Sequence, residues 1–385
     1  MYRFAISSFF LFIAIILGIK QLTQPNPTTQ STGIDTPMAS VKSAAKMMRA
    51  VVIHEAGGPE VLKLESRPIP VPKLGDVLIR VRAFGINRSE MFTRQGHSPV
   101  EFPRILGIEA TGVVEEAPGG EFKPGDIVAT AMGGMGRDFD GGYAEYTSVP
   151  AKQVQVVRTE VPWEVLGALP EMLQTAWGAL FKTLQIEKGD TLLIRGGTTS
   201  VGLAAAAIAK KHGVFVASTT RRADREKFLR DRGIDDVFID NGTIAPQVKE
   251  RYPGGFDKIL EPLSFNTRSS LGRLTPQWLV GVTTAADSMQ CLKLHGITAM
   301  TGIVGGKWTF DEFSPNMVIP TGTYLSSYGG SAEDFVNTPL DELVKDILDG
   351  TIDIPVGKVF KLEDIVEAHK CMDSNEAGGK IVVLT

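Results

Sequence analysis

The stretch from Gly189 to Asp240 constrains this chain more than any other. An apolar run, Thr191-Leu192-Leu193-Ile194, reads as a buried parallel strand and breaks into the turn Gly196-Gly197-Thr198-Thr199-Ser200-Val201-Gly202. An apolar helix pattern follows, Leu203 to Lys211, closed by Gly213. A second strand, Val214 to Ser218, then runs into Thr219-Thr220-Arg221-Arg222. Strand, glycine turn, helix and strand in succession are the geometry that seats a pyrophosphate on a helix N-terminus. Glycine permits the tight turn and the close approach of backbone to phosphate. Read as Gly197-x-Thr199-x-x-Gly202, the turn has a threonine where a middle glycine is usual. Thr198, Thr199 and Ser200 add donors for an anion.

The end of the second strand bears on which dinucleotide fits. A carboxylate there binds a ribose 2′-hydroxyl and repels a 2′-phosphate. This chain has Ser218 and Thr219, then Arg221 and Arg222, whose hydroxyl and guanidinium groups suit a phosphate. The expected cofactor is therefore NADPH. The plain alternative is that Arg221 and Arg222 only open a solvated helix within RRADREKFLRDRG.

A length of 385 residues suggests two or three domains, and 43% hydrophobic with 22% charged residues is enough for sizeable cores. The net charge of −4 gives no reason to expect a nucleic-acid partner. Two cysteines, Cys291 and Cys371, make no disulfide framework. The first residues stand apart. Phe4 to Ile19 is strongly apolar but, at 16 residues, short of the ~20 that a full span needs. Residues 1–20 thus read as a signal-like or anchor-like segment, and the polar, proline-bearing stretch 21–46 as a disordered linker. Translation starting at Met47 or Met48 is the other reading. We favour an anchor or a false start over secretion, with the body in the cytoplasm.

From Met48 the pattern is β-rich. Arg49–His54, Val61–Glu65, Asp76–Ala83, Gly112–Glu116 and Asp126–Ala129 are short strand candidates divided by glycine-rich turns, which suggests a small, partly closed barrel. Helical spacing takes over at Trp163–Ala168 and Met172–Leu184. Past the nucleotide unit, Asp235–Ile239, Phe256–Glu261 and Gly296–Ile303 read as further strands with helices between them. The expected fold is α/β, a doubly wound parallel sheet beside a barrel. The expected bounds are 47–170 for the barrel domain, 171–322 for the nucleotide domain, and 323–385 for a return to the barrel.

Several stretches together carry a family resemblance: MRAVVIHEAGGPEVL, FGINRSEMFTRQG, FPRILGIEATGVV, FDGGYAEY, LPEMLQTAWGAL, the GGTTSVG turn and NEAGGKIVV. On these the chain, from Met48 to Thr385, resembles the zinc-free quinone oxidoreductases of the medium-chain dehydrogenase/reductase superfamily. The resemblance implies a GroES-like barrel, a Rossmann domain, a cleft between them, a homodimer, and NADPH-dependent reduction of quinones, enones or related activated alkenes. Zinc-dependent relatives have Gly-His-Glu where this chain has Gly107-Ile108-Glu109, and ligand cysteines near Asn87 and Glu171. Isoleucine cannot bind a metal, and His54, His97, His212, His295 and His369 show no ligand spacing, so no bound zinc is expected.

Without a metal, catalysis must rest on placement and on donors to a developing oxyanion. The resemblance places Asn87 beside the nicotinamide as a positioning amide, with a loop cap as its plain alternative. It brings Thr175 to the nicotinamide ribose, Gly302 and Ile303 to the nicotinamide side, and Asn375 and Lys380 near the cofactor, although Lys380 also reads as a surface lysine. Arg94 and His97 are candidates for the substrate mouth, and Tyr143 for aromatic packing. One segment breaks the pattern: residues 262–278, PLSFNTRSSLGRLTPQW, interrupt the chain after a strand end, as a lid or as an intruding segment. An enoyl-thioester reductase, a zinc-free alcohol dehydrogenase and a non-enzymatic NADPH-binding protein remain as alternatives.

Overall fold

The computed structural model describes residues 45–262, 282–301 and 313–385. The apolar stretch 4–19, the body of the 262–278 interruption, Gly302 and Ile303 lie outside the described residues. Among the described residues no helix is long and apolar enough to cross a membrane.

The chain opens with β1 (Met47–Ile53), β2 (Lys63–Pro68) and β3 (Asp76–Ile86), and β3 leads into α1 (Arg88–Arg94). Strands β4 (Arg104–Ile105), β5 (Glu109–Glu116), β6 (Ile127–Ala131), β7 (Tyr146–Pro150) and β8 (Val154–Val156) follow. β1 carries β2 and β4 on its two sides, whereas β3 pairs with both β5 and β7. Register shifts between Leu78 and Ile79 and between Val81 and Ala83 let β3 bend along β5. The alternating pattern of β3 buries Val77, Ile79 and Val81 and exposes Arg80 and Arg82, as one solvated face requires. The two inner faces share one apolar core that includes Val52, Ile79, Phe84 and Tyr143.

Two helices, α2 (Trp163–Leu166) and α3 (Pro170–Trp177), lead to the second lobe. Pro170 stands in the first turn of α3, where its missing N–H costs nothing. The second lobe runs β9 (Thr191–Ile194), α4 (Ser200–Lys211), β10 (Phe215–Thr220), α5 (Glu226–Arg230), β11 (Asp236–Ile239), α6 (Ala245–Arg251), β12 (Phe256–Pro262), α7 (Val282–Met289), β13 (Leu292–Thr301), α8 (Pro315–Val318) and β14 (Tyr324–Tyr328). Its strands form one parallel sheet in the order β11-β10-β9-β12-β13-β14. The order reverses beside β9, so the crevice at the carboxyl end of β9 is where such a sheet binds ligands.

The last stretch comprises α9 (Ala332–Asn337), α10 (Leu340–Leu348), β15 (Val356–Lys361), α11 (Ile365–Ser374) and β16 (Lys380–Leu384). β16 pairs antiparallel with β3, Ile381 opposite Ile86. The expected boundary at 323 falls too early, because β14 still belongs to the parallel sheet, opposite Ile297–Thr301 of β13. Strand signals as short as those of β7, β8 and β14 were not read from sequence, since their partners rather than their own pattern define them.

Candidate active site

Between the lobes lies a cavity of about 410 Å³, lined from β3, α1 and α3 on one side and from the glycine turn and the end of β10 on the other. Thr199 is the N-cap of α4. Its hydroxyl donates to the Gly196 carbonyl at 2.9 Å and accepts from the Gly202 amide at 3.0 Å. The threonine in place of the middle glycine is thus the helix cap, the role for which that side chain is favoured. The first-turn amides of Ser200 and Val201 have no carbonyl four residues back to accept from them, and both residues line the cavity.

Most of the expected nucleotide contacts meet here. Asn87, Thr175, Thr198, Thr199, Ser200, Val201, Arg221, Arg222, Asn375 and Lys380 all face the cavity. Gly196, Gly197 and Gly202 lie behind its wall. A Cβ on Gly197 would stand 1.7 Å from Ser218 Oγ, and one on Gly202 would stand 2.6 Å from the Gly196 carbonyl oxygen. These glycines therefore let the turn lie on β10 and on itself.

Ser218 and Thr219 require a correction. Both are buried and neither lines the cavity. Ser218 donates to the Ile194 carbonyl at 3.2 Å, while Thr219 Oγ1 accepts from the Gly196 amide at 3.0 Å. They hold the turn and are not placed to meet a phosphate. Thr220, one residue on, lines the cavity. The two arginines also differ. Arg222 forms an exposed pair with Asp224 through Nε at 3.0 Å. Arg221 belongs more to the wall: burial lowers its pKa from the usual guanidinium value. Burial also lowers that of Arg88, and Arg221 adds to the effect, so the two cations share one space. Arg88 Nη2 donates to Asn375 Oδ1 at 3.2 Å. Arg88, Arg225 and Phe228 carry no local motif that marks them, yet they complete this end of the cavity.

The other end holds a buried polar cluster. Asn87 caps α1 and its amide accepts no freedom: Nδ2 donates to Glu109 Oε1 at 2.9 Å and to Glu90 Oε1 at 3.4 Å, and Oδ1 accepts from Lys380 Nζ. Lys380 is 3% exposed, which removes the surface-lysine reading. Its ammonium pairs with Glu109 Oε1 at 2.9 Å and Glu171 Oε2 at 3.4 Å. Glu109 Oε2 also accepts from the Glu171 amide at 2.9 Å, at the N-terminus of α3, where a carboxylate is favoured. Thr175, one turn on, donates to Glu171 Oε1 at 2.9 Å. Gly85 makes this cluster possible, because a Cβ there would lie 2.4 Å from both Glu109 Oε1 and Lys380 Cε. Sequence reading passed over Glu90, Glu109 and Glu171 as site residues. The signal was Glu109 within GIEATGVV, a carboxylate in an apolar strand.

Arg94 and His97 are not at the mouth. Arg94 is fully buried and pairs with Asp373 at 2.8 Å. His97 does not line the cavity. Tyr143 is buried, stacks on Phe84 at 4.6 Å, and shares a 3.1 Å hydrogen bond with His369 Nε2.

Two buried groups set a test of pH dependence. Burial pushes Glu90 up to about 7, and burial with Arg94 nearby pushes His369 down to about 3. Between its unfolded value near 4.5 and about 7, Glu90 holds a proton only in the folded state, so its contribution to stability falls as pH rises. Between about 3 and 6.5, His369 holds a proton only in the unfolded state, so its contribution rises with pH. The two slopes oppose each other in the overlap. Glu90→Gln removes one, and its stability relative to wild type is expected to climb from pH 4.5 to 7 by up to ~1.4 kcal/mol per unit. Urea unfolding at several pH values measures this, and a pH-independent difference counts against the assignment of Glu90.

The parallel sheet with its capped glycine turn, the barrel lobe and the cleft between them define a dinucleotide-dependent oxidoreductase. Comparisons with known proteins agree. Residues 73–159 match the model for the alcohol dehydrogenase GroES-like domain, and residues 232–383 the model for the zinc-binding dehydrogenase. A quinone oxidoreductase of Pongo abelii is 28% identical over 349 residues, covering 88% of this chain and 98% of its own. One from Mus musculus is 33% identical over 232 residues, covering 57% of this chain and 67% of its own. A mycobacterial structure solved with NADPH superposes with a TM-score of 0.74 at 28% identity, over 88% of this chain and all of the other. The chain belongs to the quinone oxidoreductases of the medium-chain dehydrogenase/reductase superfamily, oxidoreductases that use a nicotinamide cofactor.

The name of the second family model implies zinc, and the donor set here does not fit it. Ile108 has no ligand atom, Asn87 and Glu171 contact the ammonium of Lys380, and a second cation among them would be repelled. The described residues contain no group of three His, Cys, Asp or Glu that could hold a metal ion.

Proposed function

We propose that the protein is an NADPH-dependent reductase of quinones, enones or related activated alkenes. One observation supports this reading above others: a helix N-terminus, the guanidinium groups of Arg88 and Arg221 and an apolar pocket share a single cavity. The amides of Ser200 and Val201 would hold the pyrophosphate. Arg221, with Arg88 opposite, would hold the 2′-phosphate. Ile86, Phe92, Ile108 and Met132 offer apolar surface of the kind a quinone or enone ring prefers. Bound there, NADPH supplies a hydride. Asn87 and Thr175 place the reacting groups, and the cavity wall limits access of water to them.

NADPH oxidation followed with a panel of simple quinones and enones tests the reading. Saturable NADPH binding without turnover on any of them would favour a non-enzymatic role. Arg221→Ala combined with Arg222→Ala is expected to weaken NADPH binding about 10- to 100-fold and to leave NADH binding nearly unchanged. Arg221→Ala alone carries most of this loss, because Arg222 is engaged by Asp224. Calorimetric titration with both dinucleotides checks it, and equal losses for the two would remove the preference for NADPH.

We also propose a homodimer through the edge of the parallel sheet. β14 is an edge strand among the described elements, and Tyr324 in it is exposed, as are Leu294 of β13 and Met317 of α8. An edge bearing apolar side chains invites pairing. Leu294→Asp with Tyr324→Lys is expected to yield monomers by light scattering, where wild type yields dimers.

A further inference from the structure

We propose that the Lys380 ammonium does here what a metal cation does in the zinc-dependent relatives: it donates a hydrogen bond to the substrate oxygen that becomes negative. This rests on the reading of the substrate as a quinone or enone. The positions matching the relatives' ligands are Asn87, Ile108 and Glu171, and Lys380 contacts the side chains of the first and third. A cation thus touches two of those three positions, covalently tied to β16.

Three features suit it to that task. Its position is fixed, since Glu109 and Asn87 each accept one of its hydrogens and Gly85 leaves the room. Its third and longest contact, 3.4 Å to Glu171, is to a residue that lines the cavity, as Lys380 itself does. An oxygen gaining full negative charge competes well for that hydrogen. Finally, Asn87 is the weaker donor of the two, because its amide is neutral and its shorter contact is already made to Glu109 Oε1 at 2.9 Å. Burial lowers the Lys380 pKa, but Glu109 and Glu171 outweigh it, so the group stays charged through the cycle.

The chemistry balances without a proton from the lysine. The substrate carbon accepts a hydride with its electron pair, the conjugated π pair moves onto the carbonyl oxygen, and that oxygen takes the new charge. Lys380 stabilises the charge through its N–H, and water then delivers the one proton that completes the reduced product. Lys380 acts as an electrophile held in a dry, preorganised site, where such donors have their largest effect.

Three variants decide the matter: Lys380→Gln, Lys380→Arg, and Lys380→Met combined with Glu109→Gln. The double variant removes Lys380 together with Glu109, its nearer and fully buried partner, and leaves Glu171, which lines the cavity, so it is expected to fold. Hydride transfer to a simple quinone should fall ~100- to 1000-fold in the first and third, measured in a single turnover, while the NADPH dissociation constant moves less than ~3-fold. Lys380→Arg should recover part of the rate. A second readout needs no turnover: 4-nitrophenol bound to the wild-type enzyme with NADP+ should ionise at lower pH than in water, and Lys380→Gln should abolish that shift. If NADPH affinity drops in step with the rate, Lys380 is a cofactor ligand and the proposal fails. It fails equally if the double variant turns over like wild type, or if the nitrophenol shift survives Lys380→Gln. Wild-type protein that binds NADPH and reduces neither quinone nor enone defeats the functional reading itself, a result distinct from any of these.

Discussion

Arg195→Met is expected to lower the free energy of unfolding by about 3–5 kcal/mol, the range seen when one partner leaves a buried ion pair. Arg195 is 2% exposed and sits between β9 and the glycine turn. Its Nε donates to Asp240 Oδ2 at 2.8 Å and its Nη2 to Asp240 Oδ1 at 3.1 Å. Nη1 reaches Asp287 at 2.8 Å, Ser288 Oγ at 3.0 Å and the Thr284 carbonyl at 3.0 Å. One planar fork thereby ties the ends of β9 and β11 to α7. Methionine would fill the volume and leave Asp240 and Asp287 unpaired, with Glu261 nearby. Burial already pushes the Glu261 carboxyl up, and Arg195 opposes it together with the hydroxyls of Ser288 and Thr284. Arg195→Lys should also destabilise, because a single ammonium cannot copy five donors in one plane. The effect extends to the cofactor, since Asp240 lies 3.4 Å from Thr219 Oγ1, which accepts from the Gly196 amide. Urea unfolding and NADPH titration of the same variant measure both. A change under ~1 kcal/mol would mean the network is incidental to stability.

Gly197→Val is expected to abolish measurable cofactor binding and to cost about 1–3 kcal/mol of stability through overpacking. Even a single Cβ at 197 would meet Ser218 Oγ at 1.7 Å and Ser218 Cβ at 2.9 Å. The turn must then lift from β10, which moves the first-turn amides of α4 away from the cavity. The backbone of Gly197 is not in the left-handed region, so the cost is one of space and not of φ. That distinction gives the prediction a second arm. Gly197→Ala with Ser218→Gly removes the obstructing atoms and should restore most of the binding that Gly197→Ala loses. If the pair binds no better than the single variant, contact with β10 is not the reason for the glycine.

The nucleotide half of the molecule was legible because its signals are local. β9, the capped turn and α4 occupy consecutive residues, and their hydrophobic period and glycine placement act over a few positions. The weaker signals failed for a physical reason as well. Ser218 and Thr219 looked like phosphate ligands by their place in sequence, but strand alternation and the depth of the glycine turn decide which hydroxyl faces the cavity. Thr220 lines the cavity, while its two predecessors are spent on backbone. Arg94 looked like a mouth residue from its loop setting, yet α1 begins before it and carries it inward toward Asp373.

By itself, then, the order of residues determined the α/β class, the parallel sheet and the position of the helix start that opens on the cavity. Short-range patterning suffices for these, since each rests on groups a few bonds apart. Only the tertiary structure brought Asn87, Glu109, Glu171 and Lys380 into one cluster, joining side chains up to 293 positions apart. Each reads as ordinary in its own segment. The pairing of β16 with β3 and the space above Gly85 turn them into a buried charge system facing the cavity, because the burial and Coulomb terms that give those groups their chemistry exist only once the distant strands have met.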